Sequence, residues 1–132
     1  MNYISNPFFP IGLKKPSDIK DLNDSTDILL KLLALCPEYM PTDLYEQQTL
    51  AENLGLNSVL IKDERQRFNL GSFKATGAIY AIAKMAYSHL EAEDEVSLEN
   101  LRNTLRDVTF VTASAGNHGI SMSVGAKLFG AN

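Results

Sequence analysis

Two short stretches carry side chains whose type and spacing could do chemistry. The first, Leu70-Gly71-Ser72-Phe73-Lys74-Ala75-Thr76-Gly77, places a lysine in the first turn of a predicted helix, directly after a glycine-containing loop. The partial positive charge at a helix N-terminus disfavours a cation there by on the order of a few tenths of a kcal/mol, which lowers the ammonium pKa. A lysine that gives up its proton more readily is better suited to attack an aldehyde. Most lysines simply extend into solvent. Here Phe73 and the small residues Ala75, Gly77 and Ala78 leave room for a planar ring to pack closely.

The second stretch, Ser114-Ala115-Gly116-Asn117-His118-Gly119, lies between a predicted strand and a predicted helix. Backbone N–H groups and the helix dipole at such a turn bind anions, and a substrate carboxylate suits it. Ser114 and Asn117 could add side-chain hydrogen bonds, and the glycines let the backbone approach a ligand. The plainer alternative is an N-cap and a turn with no ligand.

Other candidates are weaker. His118 invites a general-base role, but the only other histidine, His89, falls at the far end of a different helix, and no carboxylate spacing points to a metal. Adjacent strand residues point to opposite faces, so Asp63 and Glu64 do not form an acid/base dyad, and a buried link to Arg65 or Arg67 is expected instead. Neither GxGxxG nor GxxxxGK[ST] occurs, which removes the main support for dinucleotide or nucleotide chemistry.

The elements that must position these residues follow from periodicity and punctuation. Prolines at 7, 10 and 16 make residues 1–23 an irregular arm packed by its phenylalanines, and a helix follows from Asp24 to Cys36, stopped by Pro37. Leu44, Leu50 and Leu54 predict a helix between Thr42 and Leu56 ending at Gly55, then a strand over 58–62. Arg65 to Gly71 is polar and without periodicity, and the alanine-rich stretch 72–90 predicts a long helix. An acidic connection, a short helix over 97–105, a strand over 108–112 and a helix over 120–129 complete the chain. Strand, helix, strand, helix in that order favours an α/β fold on a parallel sheet.

With 132 residues, 45% of them hydrophobic and 21% charged, the chain has the composition of a globular domain or a piece of one. A net charge of -4 with scattered basic residues argues against nucleic acid as a partner. The single cysteine, Cys36, excludes an intrachain disulfide and a CxxC motif and points to a reducing cytoplasm. Neither a signal peptide nor a membrane span is expected, since the longest apolar stretch, 28–36, is short and interrupted by Lys31.

Taken together, Ser72-Phe73-Lys74 and Ser114-Ala115-Gly116-Asn117-His118, about forty residues apart, resemble the two signatures of fold-type-II pyridoxal-phosphate enzymes, the tryptophan synthase β-like superfamily. Within it, Lys62-Asp63-Glu64, Arg67-Phe68, Leu70 and Phe73-Lys74 are similar to the lysine-bearing stretch of the diaminopropionate ammonia-lyases. The resemblance runs from about Pro41 to the C-terminus. It implies a three-layer parallel-sheet fragment of that fold, with an N-terminal arm and helix over 1–40 and an α/β part over 41–132. It also implies that Lys74 carries pyridoxal 5'-phosphate as a Schiff base and removes the substrate's α-proton. Phe73 would pack near the cofactor and Asn117 would bond its 3-hydroxyl. Ser114, Gly116, Asn117 and His118 would hold the carboxylate of a small amino acid, which loses its β-substituent and ends as an α-keto acid and ammonia.

Two departures qualify the resemblance. Ala115 stands where the diaminopropionate enzymes look to have an acidic residue, which makes this loop more similar to the threonine and serine dehydratases. The family would also continue beyond Asn132 with a further strand, a second domain and a glycine-rich phosphate loop. The expectation is therefore a piece of a longer, homodimeric enzyme, inactive by itself. The alternative of another class is a truncated, non-catalytic remnant that serves as a binding module.

Overall fold

The computed structural model describes residues 26–132, so the arm at 1–23 and the start of the first helix lie outside the described residues. The order is α1 (Asp27–Leu33), β1 (Leu44–Glu46), α2 (Gln48–Leu54), β2 (Leu60–Lys62), a 3-10 segment (Glu64–Asn69), α3 (Ala75–Ser88), α4 (Leu98–Thr104) and α5 (Asn117–Leu128).

The helix α3 is the hub. Its buried residues Ala75, Ala78, Ile79, Ile82, Ala83 and Ala86 recur at three and four positions, which lines them along one face. Against that face pack α5, α1 and α4. Leu32 and Leu33 of α1, Cys36 just beyond it, Leu101 of α4, Leu105 and Phe129 close the core. Fully burying a side chain such as Phe129 or Leu105 contributes about 1.5–3 kcal/mol, so these few residues supply much of what holds the four helices together. Gly125 lets α5 approach so closely that a Cβ there would lie 2.9 Å from Ile82 Cδ1 and 3.2 Å from Ile79 Cα.

The sheet differs from expectation. Among the described residues it has two strands, β1 and β2, paired antiparallel with Tyr45 opposite Ile61, and not the three-layer parallel arrangement. The predicted helix over 42–56 is split, because Leu44-Tyr45-Glu46 finds a hydrogen-bonding partner in Leu60–Lys62, and α2 begins only at Gln48. Gly55, at φ 65°, ends α2 in the left-handed conformation as expected. Residues 108–112 are not in a sheet. Asn132 nevertheless donates to the Val108 carbonyl at 2.9 Å and accepts from the Phe110 amide at 2.7 Å, the pattern of one parallel rung.

Between β2 and α3 a network anchors the chain. Arg67, 9% exposed, donates from Nε to Glu64 Oε2 at 2.7 Å, from Nη1 to the Met40 carbonyl at 3.0 Å, and from Nη2 to Thr42 Oγ1 and Glu64 Oε1, both at 2.9 Å. Thr42 donates in turn to Glu64 Oε1 at 2.6 Å. The Arg67 guanidinium, helped by Thr42, holds the Glu64 carboxyl down at about 2. Asp63 instead pairs with the exposed Arg65 at 2.6 Å and is likewise lowered to about 2. The expected buried link with an arginine is the one between Glu64 and Arg67, and the pair of Asp63 with Arg65 lies at the surface.

Candidate functional site

The turn that delivers Lys74 is wound tightly. Phe68 and Asn69 have φ of 51° and 55°, a left-handed conformation that costs a non-glycine residue of order 1–3 kcal/mol, and Gly71 follows at 65°. Phe68 is held there by burial and by the ring of Tyr39, 5.7 Å away between centroids, while Asn69 Nδ2 donates to Glu38 Oε2 at 2.6 Å. Buried Ser72 then starts α3, its Oγ accepting the Lys74 amide at 3.2 Å and its carbonyl the Ala75 amide at 3.1 Å. This leaves Lys74 at the N-cap position with helical backbone angles and an exposed side chain.

The second motif folds as a loop over 113–116 that turns into α5 at Asn117, with Gly116 at the N-cap position. No side chain caps α5, so its first amides are free to face a ligand. Gly119 has a specific reason to be glycine: a Cβ there would sit 1.8 Å from the Ser114 carbonyl oxygen, so the loop folds back against the first helical turn.

Packing of α5 on α3 brings the motifs side by side. Lys74, Gly77, Ala78 and Ala81 of the lysine segment, with His118 and Met122 of α5, line a cleft of about 570 Å³. A second cleft of about 660 Å³ lies between Asn117, Gly71, Ser72 and the polar end of β2 at Lys62, Asp63 and Arg65. Phe73, 70% exposed, borders both and forms their common wall. Lys74 and His118 therefore share one cleft, Asn117 faces the other, and half-buried Ser114 and exposed Gly116 line neither.

Three residues at the site went unassigned in the sequence. Ser72 caps the lysine turn, Tyr45 closes the larger cleft with its hydroxyl donated to Asp43 Oδ2 at 2.9 Å, and Ser121 links α5 to α3 through a buried hydrogen bond to the Ala75 carbonyl at 2.7 Å. Ser121 was findable, since it follows Asn117 by four residues and so shares its helix face. Tyr45 was hidden by the helical reading of its segment.

Residues 35–132 match the family described as pyridoxal-phosphate dependent enzyme. The chain belongs to that family. Pyridoxal phosphate is the cofactor of these enzymes, and their fold is α/β. Over 97 residues, 71% of this chain and 24% of the relative, it is 39% identical to a diaminopropionate ammonia-lyase of Escherichia coli (strain K12). To the enzyme of the same name from Salmonella typhimurium (strain LT2) it is 34% identical over 100 residues, 71% of this chain and 25% of the relative. The chain thus spans about a quarter of the length of these curated relatives.

The residues present fit the family's cofactor. The smaller cleft offers a primary amine at Lys74 and a floor of Gly77, Ala78 and Ala81, and a Cβ built on Gly77 would meet nothing within 4 Å. Space for a flat ring, a primary amine beside it and uncapped helix amides are features that suit such a cofactor's ring and aldehyde and its amino-acid substrate's carboxylate. Among the described residues no group of three or more His, Cys, Asp and Glu side chains could hold a metal, and no helix is long and apolar enough to cross a membrane.

Proposed function

We propose that the chain is the lysine-bearing part of a cytoplasmic, homodimeric pyridoxal-phosphate-dependent ammonia-lyase acting on a small amino acid of the diaminopropionate type. One observation carries this reading: Lys74 lines a small-residue cleft together with His118 of the uncapped first turn of α5. The relatives' names, diaminopropionate ammonia-lyase, support the reaction class.

In this reading the Lys74 Nζ would hold the cofactor at its aldehyde carbon and, once the substrate's amine has taken its place there, the freed Nζ would take the proton from the substrate's α-carbon. The bound cofactor supplies an electron sink for the bond broken at that carbon. Phe73 supplies an apolar wall, and the Asn117 amide donates to the cofactor's ring oxygen. Ser114, Gly116, Asn117 and His118 hold the substrate carboxylate, assisted by the free amides at the start of α5.

A second reading, a threonine or serine dehydratase, is favoured by Ala115, whose methyl group can neither take nor give a proton in the loop. The test is borohydride reduction of the full-length protein carrying this segment, loaded with the cofactor, followed by peptide mapping, then an amino-acid panel scored for ammonia and keto acid. The proposal expects the label on Lys74 and turnover of diaminopropionate. A label on another lysine overturns the site, and turnover of threonine or serine alone moves the substrate to the second reading.

A further inference from the structure

Ser123 and Ser121 stand two positions apart on α5, and their hydroxyls behave differently. Ser123 donates to the Gly119 carbonyl at 3.1 Å, four residues back in its own helix, as helical serines commonly do. Ser121 bypasses its own helix and donates across the interface to the carbonyl of Ala75, 2.7 Å away and 46 positions distant in sequence. It is fully buried, with 0% exposure. Its acceptor belongs to the residue that follows Lys74, and the donor lies one helical turn along from Asn117.

We propose that Ser121 is a positioning residue for Lys74: its hydrogen bond fixes how far α5 is advanced along α3, and so where the Lys74 amine stands relative to the Asn117 turn. The neighbouring contacts give this coordinate no directional bond. One turn beyond Ser121, at Gly125, α5 lies against Ile82 and Ile79, and that contact is apolar. Apolar packing is non-directional, whereas a hydrogen bond holds its donor and acceptor to a narrow range of distance and angle. The bond satisfies the buried Ser121 hydroxyl, and among the described residues no buried side-chain nitrogen or oxygen lacks a partner. The inference rests on the function proposed above, since a positioned amine matters only where the amine reacts.

The test uses the full-length protein carrying this segment, loaded with pyridoxal phosphate, as parent, Ser121→Ala, Ser121→Cys, and Leu101→Ala as a core control away from the site. The readouts are the visible absorbance band of the bound cofactor, its pH midpoint, the rate of borohydride trapping at Lys74, and kcat and KM. In Ser121→Ala, kcat falls by about tenfold while KM stays within about twofold, and the pH midpoint of the band moves by about half a unit. Ser121→Cys, which keeps a weak donor, recovers part of both effects. Leu101→Ala loses stability without moving the band. The proposal is overturned if Ser121→Ala leaves band, trapping rate and kcat at parental values, or if Leu101→Ala moves them equally. A parent that shows no visible band with pyridoxal phosphate overturns the proposed function first, and the positioning role with it.

Discussion

Replacing Glu64 by glutamine tests the network that anchors the lysine turn. The Glu64 carboxylate receives three hydrogen bonds, from Arg67 Nε at 2.7 Å, Arg67 Nη2 at 2.9 Å and Thr42 Oγ1 at 2.6 Å. Hydrogen bonds to charged groups contribute about 1.5–3 kcal/mol each, but the pair is partly solvated and water replaces a share of what is lost. A glutamine keeps one acceptor oxygen, so the expected loss is about 2 kcal/mol near neutral pH. The carboxyl is held at about 2 against an ordinary value of 4.5. Because the folded value lies below the unfolded one, the unfolded chain takes up the proton first as pH falls. The contribution of Glu64 is therefore full above about pH 4.5 and fades toward pH 2. Glutamine does not titrate, so the stability gap between parent and variant narrows below about pH 4.5 and is largely closed near pH 3. Asp63 titrates in the same window but is common to both proteins and cancels in the difference. Urea unfolding followed by circular dichroism across this range measures the gap. A gap that is absent at neutral pH, or that stays constant down to pH 3, refutes the reasoning.

Gly119→Ala puts a Cβ 1.8 Å from the Ser114 carbonyl, so the loop must open while α5 persists. Far-ultraviolet dichroism is expected to change little, while amino-acid binding by the cofactor-loaded protein, read from absorbance, weakens by about tenfold or more. Burial pushes the Cys36 thiol up to about 11 from an ordinary 9.0, so less thiolate is present at a given pH. At mildly alkaline pH the folded protein should react with a thiol reagent roughly 100-fold more slowly than the same chain in urea, and equal rates would contradict the burial.

The helices were legible because their signals are local. Ala75, Ile79, Ile82 and Ala86 recur at helical spacing within one segment, and α3 lies within the predicted range of 72–90. The lysine turn and the Asn117 turn were legible for the same reason. The hairpin was not. Leu44, Leu50 and Leu54 share the composition of a helix, and what makes Leu44–Glu46 a strand is its partner sixteen residues away. The segment 108–112 shows the converse: strand composition with a single rung to Asn132 leaves it out of any sheet among the described residues. The spacing of Ser121 from Asn117 put it on the same helix face, but its bond to the Ala75 carbonyl, 46 positions away, is not encoded locally. The proximity of Lys74 to His118 and its separation from Asn117 by Phe73 depend on how α5 lies across α3, which no periodicity encodes.

The junction of α3 and α5 also sets an order of events in synthesis. Lys74 leaves the ribosome well before α5, and the residues that complete its cleft, His118 and Met122, follow more than forty positions later. Closing a loop of that length carries an entropy cost that only the packing of the finished α5 against Ile79 and Ile82 offsets. Until that packing forms, Lys74 is one of several surface amines with no claim on an aldehyde. In the reading proposed above, what distinguishes this lysine from the others is thus a property of the folded pair of helices, and it is present only once α5 has packed on α3.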